Sequence, residues 1–147
     1  MSVDIPREGW FSTRFRVRFA ETDAAGIVHH SVYLVWFEEG RSDLSRQLGM
    51  PYVALERAGV ELLLTRSEVH YLKAVRYDEE VEIRTRARML KSRAMTFEYR
   101  AIRVADGVLA AKGTTEHLAV SRSNGRPVRI PEPFFSAWRR AAAAAEG

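Results

Sequence analysis

The sequence of 147 residues contains no cysteine, which excludes disulfide bonds, thiolate metal sites and cysteine nucleophiles. No apolar run approaches the roughly 18 residues that a membrane-spanning helix needs. The first ten residues lack the basic-then-apolar order of a signal peptide. We therefore expect one domain, residues 1–147, in the cytoplasm and without a membrane span.

The sequence also lacks any block of five or six like charges, although it is basic overall. Its formal net charge is +4 and its pI is about 9.8. Such a balance suits a nucleic acid, an anionic small ligand such as a nucleotide-bearing cofactor, or a solvated surface. Because the arginines alternate along strands or lie scattered, we expect no nucleic-acid partner.

Alternating apolar and polar residues predict five β-strands. The predicted strands are Thr13–Ala20, Glu61–Ala74, Glu80–Leu90, Ala94–Val104 and Val108–Ser121. Short turns rich in Asp, Gly, Asn and Ser separate the last four, and short turns imply antiparallel pairing. Residues 1–12 are expected to form a loose lead-in to the first strand.

Helical periodicity predicts one long helix, Val32–Leu48, and a short second helix, Pro51–Ala58. A third helix is predicted at Phe134–Ala145, within a tail of residues 131–147, and we expect its alanine-rich end to fray. The inventory predicts an α+β fold in which a curved antiparallel sheet wraps around the long helix. Gly40 would let the sheet approach that helix closely, and a dimer that extends the sheet is expected.

A polar loop, Glu21 to Ser31, leads into the long helix and carries Asp23. A carboxylate there can act as a base or a nucleophile, while free N–H groups at the helix start can hold a developing oxyanion. The alternative is a purely structural Asp23, because aspartate is also common in turns and at helix N-caps.

The segment FAETDAAGIVHHSVYLVWFEEGR resembles the signature of the hotdog-fold acyl-CoA thioesterases, in the 4-hydroxybenzoyl-CoA thioesterase/YbgC-like group. There a strand leads to an aspartate, a small residue, Gly-Val/Ile-Val, an aromatic or His pair, a Tyr, and a helix with an Arg. The resemblance covers about residues 13–125. It implies hydrolysis of an acyl-CoA to a free acid and CoA without a cofactor. It also implies a homo-oligomer, at least a homodimer, and we expect a homotetramer.

The resemblance also implies site residues. Asp23 falls on the catalytic aspartate, which attacks the thioester carbonyl or activates a water, and its low basicity slightly favours attack. The implied catalytic residues are Asp23 and His30, and the oxyanion region comprises Gly26, His30 and Ser31. The implied substrate pocket contains His29, Tyr33 and Trp36, and the implied CoA-binding residues are Arg88, Lys91 and Arg93.

Four further charged residues carry expectations. Glu21 is expected to be solvated. Glu38 or Glu39 could serve as the base, as in another hotdog branch, but the helical pattern favours the polar side of the helix for both. Arg41 matches the helix arginine, and a buried ion pair or an interface contact is expected there.

Three alternatives remain at this point. A metal site of Asp23, His29 and His30 is disfavoured because adjacent histidines seldom point at one ion, so no metal is expected. A non-catalytic acyl-CoA or acyl-carrier-protein binding module could use the same fold. A hotdog hydratase fits less well, because its Asp and His follow a different local pattern. The His29-His30 pair, where aromatic-acyl enzymes have Trp-Tyr, favours a YbgC-like, short-chain or unspecialised enzyme.

Overall fold

The computed structural model describes residues 3–146, and over these residues the chain forms one antiparallel sheet and three α-helices. The elements are β1 (Phe11–Arg16), α1 (Val32–Gln47), α2 (Tyr52–Arg57), β2 (Val60–Tyr71), β3 (Glu80–Arg88), β4 (Ala94–Arg103), β5 (Val108–Ser121) and α3 (Phe134–Glu146). The strand order is β1-β3-β4-β5-β2. The predicted α+β fold, a hotdog sheet wrapped around one long helix, is confirmed.

Helix α1 packs its apolar stripe onto the sheet. The Phe37 ring stacks on Tyr99 of β4, with the ring centroids 4.4 Å apart. One turn further along, Gly40 faces Ile83 and Thr85 of β3, and a Cβ at Gly40 would stand 2.9 Å from Ile83 Cγ2 and closer still to Thr85 Oγ1. The predicted close approach at Gly40 is confirmed.

The first strand differs from its predicted bounds. Strand β1 begins at Phe11 and ends at Arg16, which pairs with Glu80, the first residue of β3. Residues beyond Arg16 therefore have no strand to pair with. The prediction that the strand continues to Ala20 is wrong, because Phe19 lies in a short 3-10 turn and is 75% exposed.

The loose lead-in predicted for residues 1–12 is also wrong over its described part, since Met1 and Ser2 lie outside the described residues. Residues Arg7–Gly9 form a 3-10 turn, and Phe11 is buried. Gly9, at a φ of +74°, lies against the backbone of α3. The chain start is thus held by a helix more than 120 residues further along.

The alanine-rich end of α3 is ordered rather than frayed, which corrects the prediction. Ala141 and Ala142 are buried, because small side chains let α3 approach Gly9. Trp138 is fully buried, and its Nε1–H donates to Ser45 Oγ of α1 at 3.3 Å. Helix α3 therefore closes the end of the core beside the C-terminal half of α1.

Strand β2 is one edge of the sheet and is largely exposed. Leu63, Leu64 and Tyr71 expose 49%, 47% and 51% of their surface. An edge strand of 12 residues with exposed apolar side chains is a ready template for pairing with another strand.

Candidate functional site

The loop between β1 and α1 folds tightly around Asp23. The Asp23 N–H donates to the carbonyl of Ile27, and the Gly26 N–H donates to the carbonyl of Asp23, both at 2.9 Å. Asp23 Oδ1 accepts the Ala25 N–H at 2.8 Å. Gly26 takes a φ of +79°, which its lack of a Cβ permits. Asp23 Oδ2 receives no donor from the described residues, so one carboxylate oxygen fixes the loop while the other stays available.

Glu21 connects this loop to α1, and the prediction that it is solvated is wrong. It is 7% exposed, and its carboxylate accepts the Trp36 Nε1–H and the Arg18 N–H, both at 2.8 Å. Burial acts to raise the pKa of Glu21, but the hydrogen bonds from Arg18 and Trp36 outweigh it, so the pKa lies below its ordinary value. The Glu21 carbonyl also accepts the His29 N–H at 2.9 Å. Glu21 is therefore a buried charge that positions the loop.

A groove of about 410 Å³ lies between this loop and the end of β2. Its lining residues are Asp23, Ile27, Val28, His30, Tyr33, Tyr71, Leu72, Lys73 and Ala74. Tyr71 donates its hydroxyl to the His30 carbonyl at 2.8 Å, and its ring meets Tyr33 edge to face at 5.4 Å. The groove thus combines a carboxylate, two tyrosines and one cation.

The three predicted oxyanion residues differ in what their amides do. The Gly26 amide is used within the Asp23 turn, and the Ser31 amide donates to His29 Nδ1 at 3.1 Å. The His30 amide has no acceptor among the described residues, and His30 lines the groove. The structure therefore leaves His30 as the one amide of the three that is free to meet a ligand.

Of the predicted pocket residues, the groove includes Tyr33 but not His29 or Trp36. Burial and then the neighbouring Tyr71 raise the pKa of Tyr33 to about 12, so its hydroxyl stays protonated near neutral pH. The His29 ring stacks against His30 with centroids 4.0 Å apart. Trp36 is buried and bonded to Glu21, because its long indole reaches back under the loop.

The predicted CoA-binding residues lie at the other end of the sheet within one chain. Arg88 forms a salt bridge with Glu98 at 3.7 Å, and Lys91 and Arg93 are exposed in the β3–β4 turn. The turn meets β5 at Leu118, whereas the Asp23 groove meets it at Ala111. Seven strand residues separate these points, about 23 Å. One chain therefore does not bring this turn to its own groove.

Glu38 and Glu39 lie on the exposed side of α1, and neither lines the groove. Glu39 forms a salt bridge with Arg46 at 2.5 Å. Of the buried ion pair or interface contact expected for Arg41, the ion pair is absent within residues 3–146, and the interface contact stays a prediction. The Arg41 guanidinium lies instead beside the phenols of Tyr52 and Tyr99.

Three groove residues at and just beyond the end of β2, Tyr71, Leu72 and Lys73, were not predicted from the sequence. The predicted strand ran on to Ala74, but β2 ends at Tyr71, and the Leu72 and Lys73 amides both donate to the Ala110 carbonyl. This turn aims the three side chains at the loop. The sequence signal that could have identified them is the run of an aromatic, an apolar and a cationic residue at the end of a predicted strand.

No described helix is both long and apolar enough to cross a membrane. Within residues 3–146, no three side chains of His, Asp or Glu come together in a way that could hold a metal ion.

A buried histidine gives the fold a pH dependence. His117 is 2% exposed, its Nε2 lies 2.8 Å from Thr115 Oγ1, and its Nδ1 has no partner among the described residues. Burial, and then the charge of Arg41, lower the pKa of His117 to about 3 from 6.5. His117 therefore binds a proton near pH 6.5 in the unfolded chain, but in the folded chain it stays neutral until the pH approaches 3.

We expect the stability supplied by neutral His117 to be complete above pH 6.5 and to be lost as the pH falls towards 3. The loss approaches about 1.4 kcal/mol per pH unit. Urea unfolding between pH 7 and pH 4 should show that the free energy of unfolding falls less steeply with pH for His117→Gln than for the wild type. His70→Gln, a change at an exposed histidine, is the control. Equal slopes for wild type and His117→Gln would contradict the expectation.

An antiparallel sheet wrapped around one helix, with a carboxylate groove at the helix mouth, defines a hotdog-fold thioester hydrolase. The chain belongs to the thioesterase-like superfamily, whose family model matches residues 17–138. This membership confirms the family and the enzyme class implied by the resemblance of the segment Phe19 to Arg41.

Individual relatives agree with this assignment. The chain is 27% identical to the acyl-CoA thioesterase YbgC of Haemophilus influenzae over 129 residues, 87% of this chain and 93% of that protein. The crystal structure of a hypothetical protein, TT1821 from Thermus thermophilus, is 41% identical, with a TM-score of 0.83 over 90% of this chain and 97% of that chain. A DHNA-CoA thioesterase from Staphylococcus aureus is 28% identical, with a TM-score of 0.83 over 93% and 91%.

Proposed function

We propose that this protein hydrolyses acyl-CoA thioesters, with Asp23 as the central catalytic residue. The observation that carries the proposal is the free Asp23 Oδ2 in a groove beside the free His30 amide. The name of the YbgC relative from Haemophilus influenzae supports CoA as the carrier.

In the proposed reaction the thioester carbonyl carbon sits beside Asp23 and its oxygen faces the His30 N–H. Asp23 either attacks the carbon or takes a proton from a water that does so. The carbonyl oxygen gains negative charge, and one donor such as the His30 amide is typically worth about 3 kcal/mol of barrier. The C–S bond then breaks, and the CoA thiolate leaves and is protonated. Where Asp23 attacks, a water then hydrolyses the acyl–Asp23 anhydride and restores the carboxylate; where Asp23 activates a water, the acid forms directly.

We further propose that two copies of the chain pair through their β2 edges to complete the site. A two-fold axis perpendicular to the sheet would keep both α1 helices on one face and reverse one β2 against the other. The turn that holds the partner's Lys91 and the partner's Arg93 would then approach the Asp23 groove, because each chain carries them at opposite ends of its sheet. Basic side chains there suit the phosphates of CoA.

The charges on β2 are compatible with such self-pairing. Arg66 and Glu68 flank Ser67, so antiparallel pairing centred on Ser67 places each Arg66 opposite the partner's Glu68. We expect Arg66→Glu to weaken the dimer about 10-fold, since it sets like charges opposite each other twice. Sedimentation velocity over a dilution series measures this, and the double variant Arg66→Glu/Glu68→Arg should restore the dimer.

The control for this experiment is Arg57→Glu on α2, an equal charge change away from the edge. A dimer that Arg66→Glu leaves intact, or a chain that is monomeric throughout, would remove the β2 pairing from the proposal. The same sedimentation data test the predicted homotetramer. The cytoplasmic location stays a prediction.

Turnover of a graded panel of aryl and alkyl acyl-CoAs tests the proposed reaction, with release of the CoA thiol as the readout. We expect hydrolysis of at least one subset of the panel. A second candidate function, a non-catalytic acyl-CoA or acyl-carrier-protein binding module, is favoured by the use of Asp23 Oδ1 within its own turn. Saturable CoA binding with no hydrolysis of any thioester would support that candidate and overturn the first.

A further inference from the structure

A second cavity, of about 280 Å³, lies between α1, α2 and the start of β2. Arg41 of α1 and Tyr52 of α2 line it, and Val60 to Leu62 of the edge strand form one wall. None of its lining residues belongs to the Asp23 groove. The mechanism proposed above gives this cavity no role.

The cavity contains a hydroxyl without a hydrogen-bond partner and a guanidinium without a salt bridge. The Tyr52 hydroxyl is buried and makes no hydrogen bond with the described residues, which is costly for a polar group. Arg41 is half-buried and has no salt bridge within residues 3–146. A guanidinium without a carboxylate partner and a buried phenol beside it match a carboxylate, which accepts hydrogen bonds from both.

Other charged groups also face the cavity. Glu38, Glu56 and Glu61 lie at its rim and are exposed, so solvent and salt screen them. Glu56 is engaged with Arg122 at 3.5 Å. The rim carboxylates therefore weaken the attraction of the cavity mouth for an anion, while the positive charge of Arg41 attracts an anion deeper inside the cavity.

The cavity and the groove lie at opposite ends of β2. Arg41 is eleven residues beyond His30, roughly 16 Å along the helix. Under the proposed pairing about Ser67, the start of β2, which forms the cavity wall, would lie opposite the end of the partner's β2, beside the partner's groove. The cavity of one protomer would then adjoin the groove of the other, on the same face of the joined sheet.

We propose that Arg41 and Tyr52 of one protomer bind the far end of an acyl group whose thioester lies in the other protomer's groove. They select acyl groups that end in a second carboxylate, the monothioesters of dicarboxylic acids. This inference rests on the proposed function for its substrate and adds Arg41 and Tyr52 as specificity-determining residues.

The first experiment compares adipoyl-CoA with hexanoyl-CoA, which differ only in the terminal carboxylate. We expect wild-type kcat/KM to favour adipoyl-CoA by about 10-fold or more, and Arg41→Met to reduce that ratio about 10- to 100-fold. Tyr52→Phe removes one oxygen atom and should move the ratio in the same direction, even if Arg41→Met does not fold. Arg57→Met, on the exposed side of α2, should leave the ratio unchanged.

A mixed dimer tests whether the site spans two chains. Asp23→Asn and Arg41→Met protomers, combined, would form one site with both wild-type residues only if the two residues come from different chains. Recovery of the adipoyl-CoA preference in the mixture supports the shared site. A ratio that stays at the Arg41→Met value would place both residues in one chain and overturn the proposal.

Binding to the Asp23→Asn protein separates this inference from the proposed function. Inert thioether analogues of the adipoyl and hexanoyl compounds are titrated against Asp23→Asn with and without Arg41→Met. A carboxylate preference that Arg41→Met abolishes supports the inference even if no thioester is hydrolysed. A preference for neutral or hydroxyaryl acyl groups, or a ratio insensitive to both Arg41 and Tyr52, would refute it.

Discussion

Asp23→Asn should lower the turnover of acyl-CoA thioesters about 100- to 10,000-fold, the range typical for removing a general base. A larger loss is expected if Asp23 is the nucleophile. The substitution keeps Oδ1, which accepts the Ala25 N–H at 2.8 Å, so the loop should hold its shape. The variant loses the negative charge of the carboxylate and replaces Oδ2, the oxygen that receives no donor from the described residues, with an amide nitrogen.

The measurement is kcat and KM on the best substrate of the panel, together with CoA affinity by titration. We expect kcat to fall while CoA affinity and unfolding temperature stay near the wild-type values. Asp78→Asn is the matched control, because Asp78 lies in a neighbouring turn, outside the groove, at a φ of +66° that asparagine also tolerates. Asp23→Asn with full activity would defeat the catalytic assignment and leave Asp23 as a loop former.

Pre-steady-state kinetics can then separate the two roles of Asp23. A burst of CoA release ahead of steady turnover indicates a covalent acyl-enzyme, and hence attack by the carboxylate. A linear progress curve from the first turnover favours activation of water or a rate-limiting first step.

The part of the site that sequence analysis could predict is the part that is contiguous in the chain. Asp23, the His30 mouth and the α1 stripe all lie within about 30 residues, so local turn and helix rules place them relative to one another. Tyr71 and Lys73 come from the end of β2, and only the sheet topology brings them to the loop. Residue patterns alone do not show that the end of β2 lies next to the loop.

Side-chain direction was the other failure. Sequence position suggested that Trp36 faces a pocket and that Glu21 faces water, yet the two bond to each other at 2.8 Å in the core. A carboxylate is expected outside unless a partner is known, and the indole partner lies fifteen residues away. The same limit explains Phe11 and Ala141, whose burial depends on contacts between the two ends of the chain.

The distance between α1 and the sheet depends on Gly40, and this gives the second large expected effect. We expect Gly40→Val to reduce the free energy of unfolding by about 3 kcal/mol or more, because overpacking and a β-branched residue in a helix both cost stability. Thr85 Oγ1 and Ile83 Cγ2 occupy the space that the new side chain needs. Since α1 also carries the His30 mouth, a displaced helix should lower activity as well.

Urea unfolding and thermal melting of Gly40→Val, Gly40→Ala and Gly49→Ala test this argument. Gly40→Ala gains about 1 kcal/mol of helix propensity yet still brings a Cβ against Thr85, so a net loss of stability shows that packing dominates. Adding Thr85→Ala should recover part of that loss, since it removes the nearest atom. Gly49 has open space around it and only its φ of +76° to resist a Cβ, so Gly49→Ala should cost about 1 kcal/mol. Gly40→Val with wild-type stability would mean that α1 is free to move away from β3, and the groove at its mouth would then not be fixed by the core.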